Sequence, residues 1–166
     1  MKSIAAAAAA YFVQKYTANL DNVELYLGGL IYGLIQEDDL QEIQKCLKDG
    51  TTLEKEFADA IYKYEKGDIV DAILEFKGVL EDIPKEFAEC KEMQGDITRI
   101  EKWGEIFEDP QHLIQTLTFN VAKNLFAITA DIKTLKNDID TGDFYNAGVE
   151  NADILVKALG PVPEMN

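Results

Sequence analysis

Histidine, cysteine and basic residues are scarce in this chain, and each shortage closes a line of function. The single histidine, His112, belongs to no Ser or Cys signature and to no Glu-x-x-His pair. That removes the catalytic triad and the carboxylate di-metal bundle, two arrangements that need a placed imidazole. A glycine-rich phosphate loop is also missing. The run Asp138–Asp143 looks like the start of a calcium loop. However, Gly142 arrives one place early and the twelfth position is Val149, not a carboxylate, so an EF-hand is excluded. No catalytic residue, metal ligand or cofactor is expected. Basic residues number 16 against 31 acidic ones, a formal charge of -15. Such a surface is repelled by phosphate backbones, so no nucleic-acid partner is expected, and it is repelled by anionic membrane faces as well.

The two cysteines, Cys46 and Cys90, permit one disulfide if the compartment is oxidising. Two buried free thiols, which helical cores accommodate well, are the alternative. The pair brackets a predicted hairpin over Thr51–Leu80, so a bridge would tie the base of a two-helix excursion.

Long apolar runs are lacking too. The uncharged stretch Ser3–Val13 is too short to span a bilayer, and no stable membrane span is expected. With Lys2 before it, residues 1–18 have the shape of a secretory signal, although Gln14–Ala18 offers no good small-x-small cleavage site. The segment reads as a signal, as a retained arm docking on its own or a neighbouring subunit, or as an extraneous piece.

What remains is a helix-forming sequence. Of 166 residues 47% are hydrophobic and 28% charged, the balance of a folded domain, here placed over residues 19–166. No strand-like alternation or linker interrupts it. The expectation is all-α: a single-domain bundle of about six to seven helices. Asn19–Gln36 repeats apolar residues at helical spacing and carries Gly28, Gly29 and Gly33 inside. An interior glycine weakens a helix by about 0.5–1 kcal/mol, so these three mark close approach of another backbone, within the chain or across a subunit contact. Asp38–Gly50 forms the next segment. Thr51 and Glu54 match a capping box opening a helix that ends at Gly67. Asp68 caps a helix running to Ile83-Pro84, and a proline-first helix from Pro84 carries Phe87, Cys90 and Met93. Asp96 starts the following one. Gly67-Asp68, Gly95-Asp96 and Gly142-Asp143 all read as helix junctions, with glycine left-handed at the stop and aspartate capping the restart.

Pro110–Asp140 reads as one long central helix. Ile114, Leu117, Val121, Leu125, Ile128, Ile132, Leu135 and Ile139 share a stripe, and Phe119 and Phe126 lie nearly opposite it. A helix apolar on two sides belongs in the middle of a bundle. Asn120, Asn124 and Asp131 edge the stripe. They are the candidate polar network, either fixing neighbouring helices or lining a site for a small apolar ligand. Phe119, Phe126 and the Gly28–Gly33 stretch are the candidate interface.

The succession Cys46-Leu47-x-Asp49, Gly67-Asp68, Cys90, Asn120-x-x-x-Asn124, Asp131 and Gly142–Gly148 resembles small secreted all-helical proteins of ciliates over about Asn19 to Pro163. That resemblance implies secretion and a disulfide, and brings no activity with it. Cys46, Gly67-Asp68 and Cys90 are also similar to the bridged hairpin of plant invertase and pectin methylesterase inhibitors, whose earlier cysteine pair is absent here. Three functions follow as expectations. The first is a non-enzymatic extracellular or cell-surface structural protein that self-assembles as a homo-oligomer. The others are a carrier of a small apolar ligand and an inhibitor-like binding module.

Overall fold

Helix follows helix through residues 20–164, the part of the chain that this computed structural model describes. In order these are α1 (Leu20–Ile35), α2 (Leu40–Cys46), α3 (Thr51–Glu65), α4 (Ile69–Leu74), α5 (Phe76–Glu86), α6 (Gln94–Trp103), α7 (Pro110–Lys123), α8 (Leu125–Asp140) and α9 (Phe144–Leu159). Short 3-10 turns sit at Lys91–Met93 and Gly104–Glu108, and no strand forms among the described residues. The signal or arm expected over residues 1–18 lies outside them.

The axis of the fold is the pair α1 and α9, from opposite ends of the chain. They run side by side in the same direction, Gly29 against Tyr145 and Gly33 against Ala152. A Cβ on Gly29 would overlap the Tyr145 carbonyl, and one on Gly148 would overlap the Tyr26 carbonyl, so the two backbones touch. Glycine on both helices is what permits this. One continuous apolar cluster surrounds the pair, with Tyr26, Phe57, Phe76, Phe87 and Phe144 its largest fully buried side chains. The Tyr26 and Phe57 rings lie 4.7 Å apart, centroid to centroid.

The long central helix expected over Pro110–Asp140 is two helices, and neither is central. The ladder breaks at Asn124 (φ -107°, ψ 20°). Its amide nitrogen donates to the Asn120 carbonyl at 3.0 Å and to the Lys157 carbonyl at 3.2 Å. A short amide side chain that bonds backbone in this way competes with helix continuation. The break also moves the buried face. Leu113, Leu117, Ile128, Leu135 and Ile139 are buried, whereas Ile114 and Leu125 from the predicted stripe are both 47% exposed. A second interruption, at Glu75, separates α4 from α5, so the helices are more numerous and shorter than expected.

The turn chemistry is partly as the sequence pattern indicates. Gly67 (φ 83°) and Gly142 (φ 82°) are left-handed stops, and the Asp143 carboxylate accepts from the Asn146 N–H at 3.1 Å. Gly95, in contrast, lies inside α6, which begins at Gln94. Pro84 falls within α5 instead of starting a helix. Beyond α5 the chain turns through Phe87–Cys90, because the Gln94 side-chain amide donates to the Phe87 and Cys90 carbonyls at 2.8 and 3.0 Å and replaces the helical donors. The capping box at Thr51 and Glu54 does not form. Left-handed Gly50 (φ 79°) precedes α3, and the Thr51 hydroxyl donates to Asp49 at 2.5 Å. Glu86, at the end of α5, accepts instead from the N–H groups of Lys48, Asp49 and Gly50 at 3.1, 3.0 and 3.3 Å.

Candidate functional site

The polar edge of the α7–α8 pair closes on the last turns of α9. Asn120 donates its amide to the Ala158 carbonyl at 2.9 Å, beside the Asn124 bond to Lys157. These are carbonyls that a helix end leaves without a partner. Below them the Lys157 ammonium donates to Asp131 at 2.5 Å and to Asp153 at 2.6 Å. Burial, then the contact with Asp153, lifts the Asp131 carboxyl from its ordinary 3.8 to about 6 against the pull of Lys157. Partial burial depresses Lys157, but its two carboxylate bonds outweigh that and hold the ammonium charged. Asn120, Asn124 and Asp131 are thus brought together, all directed at one neighbouring helix.

None of the three lines either of two open surface grooves, of about 420 and 410 Å³, one beside Leu80, Pro84 and Phe107 and one beside Leu34, Arg99 and Val162. Asp131, Glu150 and Asp153 converge with carboxylate oxygens within 4.8 Å of one another. Lys157 already supplies the cation there. Cys46, Cys90 and Glu92 also converge, but the sulfurs are joined in the Cys46–Cys90 disulfide and offer no thiolate. His112 is exposed in the first turn of α7, its backbone N–H on Asp109 at 3.2 Å.

The candidate interface divides into an inner and an outer part. Gly29 and Gly33 are spent inside the molecule against α9, and Gly28 faces Leu40 and Tyr145. Close helix packing within the chain accounts for the glycines of that stretch. The two phenylalanines are the reverse. Phe126 is 93% exposed and Phe119 67%, and among the described residues no helix covers either ring. The Lys123 ammonium lies 5.9 Å from the centre of the Phe119 ring. From Pro110 to Ala130 the sequence contains neither Asp nor Glu, so the segment that carries both rings is free of carboxylate side chains in a strongly acidic protein.

One buried polar contact escaped the sequence reading. Asn151, fully buried in α9, accepts from the Tyr26 hydroxyl at 2.8 Å, tying α1 to α9 at the axis. Burial pushes the Tyr26 and Tyr64 hydroxyls well above their usual range. The available signal was an asparagine lying between Gly148 and Leu155 on the apolar face of the last helix.

Fold and site define a class: a disulfide-stapled, all-helical protein of strongly negative net charge that exposes Phe119 and Phe126. A family model described as secreted protein B-like (SctB-like) matches residues 4–159, and the chain belongs to that family. The comparisons with curated proteins and with solved structures give no match. The family supports the secreted character that the first resemblance implies. It says nothing specific about ciliate proteins or about the inhibitor-type bundle. Membership and the disulfide fit an extracellular protein, and among the described residues no helix is long and apolar enough to cross a membrane.

Proposed function

We propose that this protein is a non-enzymatic, extracellular structural protein that works by associating with further copies of itself through the outer face of α7 and α8. The observation that carries this is the exposure of Phe126 (93%) and Phe119 (67%) on a stretch without acidic residues. Two chains of charge -15 repel each other over most of their surfaces. They approach at least cost where carboxylates are missing, and there the buried rings supply the attraction. A phenylalanine removed from water contributes about 1.5–3 kcal/mol, so paired rings from two copies suit a reversible contact. The absence of a placed nucleophile, base or phosphate loop in the sequence supports the non-enzymatic part. The test is sedimentation of the full chain across a concentration series, beside a Phe119→Ser/Phe126→Ser variant. The expected result is association of the native chain and its loss in the variant, with the helical circular dichroism of both alike. A native chain that stays monomeric throughout would sink the proposal.

A further inference from the structure

Two pairs of carboxyl groups meet between neighbouring helices, and in both the more buried member has an oxygen without a hydrogen-bond partner. Asp39, just ahead of α2, is 8% exposed, and its Oδ2 is buried without a hydrogen-bond partner. The carboxyl it faces is Asp96, in the first turn of α6. Glu56, midway along α3, buries Oε1 without a partner. Its Oε2 rests on Gly78 of α5, where a Cβ would overlap it, so the glycine makes room for the carboxyl. The group it faces is Asp82, one turn further along α5.

Ionised carboxylates only accept hydrogen bonds, so two of them cannot bond each other. One shared proton changes this: it makes an O–H donor, forms a short charge-assisted bond and removes one of two like charges. We propose that Asp39–Asp96 and Glu56–Asp82 are proton-sharing clasps, joining α2 to α6 and α3 to α5, that hold the fold tightest in an acidic medium and release as it turns alkaline.

The surroundings favour the proton. Glu42 and Glu37 also act on Asp39, and Glu75 and Glu81 on Glu56, all of the same sign. Arg99, one turn along α6 from Asp96, directs its guanidinium to the Ile35 carbonyl at 3.5 Å. Lys63, on α3, is paired with Glu75, and the largely exposed Lys85, on α5, lies 3.9 Å from Asp82, which keeps the negative charge on Asp82 and leaves the proton to Glu56. The Asp131–Asp153 pair differs, because Lys157 bonds both of its members. Burial first, then the facing carboxyl, lifts Asp39 from its ordinary 3.8 to about 7 and Glu56 from 4.5 to about 8.

These are raised folded-state values, so the folded chain binds more protons than the unfolded one between the ordinary and the raised values. Across that window the folding equilibrium constant falls about tenfold per pH unit for each such proton. The contribution is fully present below the ordinary values and is lost as pH rises through about 7 and then about 8.

Urea unfolding of the full chain at about pH 5.5 and about pH 8.5 tests the proposal, beside an Asp39→Asn/Glu56→Gln variant. An amide keeps a hydrogen-bond donor and cannot titrate. The native midpoint is expected to fall toward alkaline pH, and the variant to flatten that fall and exceed the native midpoint at the alkaline end. A native midpoint that stays flat or rises overturns the clasps. So does a variant that keeps the native slope, because general repulsion among surface carboxylates would then account for it. If the variant does not fold, infrared spectroscopy of the native chain at neutral pH decides: a protonated-carboxyl C=O band supports the proposal, and its absence overturns it.

Discussion

Glu86 shows how much one side chain can organise. Its carboxylate gathers three consecutive backbone N–H groups ahead of α3, beside the half-cystines that close the same base. Hydrogen bonds to a charged acceptor are individually stronger than neutral ones, but these donors are largely exposed to water. Glu86→Ala is therefore expected to lower stability by about 1–2 kcal/mol, read as a shift in urea midpoint, with Glu86→Gln recovering part of it. An alanine variant with the native midpoint would show that water replaces the carboxylate without loss. Residues of this kind are the hardest to read in a sequence. The Asn120, Asn124 and Asp131 edge was legible, because polar groups flanking an apolar stripe need partners. Its acceptors at Lys157 and Ala158 were not, because a backbone carbonyl carries no residue signature. Glu86 was missed for the same reason: its partners are N–H groups of the chain, and a helix-end glutamate otherwise reads as a solvated charge.

Among the elements, the contact of α1 with α9 carries the architecture. Both sides use glycine to bring backbone to backbone, so added volume cannot be absorbed by a flexible side chain. Gly148→Ala is expected to destabilise by about 2–3 kcal/mol, the upper range for overpacking a core. Gly95→Ala is the contrasting case, since Gly95 is helical with nothing within 4 Å of a Cβ, and a gain of up to about 1 kcal/mol is expected. Thermal melts of the two variants should move in opposite directions, and equal shifts would contradict the geometry. The all-helical class and the Gly67 and Gly142 turns followed from local chemistry, since periodicity and a left-handed stop are both written in a few adjacent residues. The axis did not. The apolar stripe continues in step on either side of Asn124, so spacing alone could not reveal that the helix breaks there and lies at the edge of the fold. What decides centrality is the partner helix, and in α1 that information sits in glycines more than a hundred positions away from Gly148.

For the whole molecule, charge and association oppose each other. With -15 spread over the surface, copies meeting through Phe119 and Phe126 are held apart by long-range repulsion. Salt shortens the reach of that repulsion from about 10 Å at 0.1 M to about 3 Å at 1 M, while apolar contacts persist. Association is thus expected to strengthen with added sodium chloride, measured as sedimentation at fixed protein concentration. Weakening would instead indicate lysine–carboxylate pairing between unlike faces. The Cys46–Cys90 bond acts at the same scale in another way. It joins positions 44 residues apart, turning α3, α4 and α5 into a covalent ring with the two chain ends as tails. Outside the cell, where proteases are common, a single cut within that ring severs the backbone yet frees no fragment. The nicked protein keeps its mass apart from one added water, and the two pieces part only after reduction.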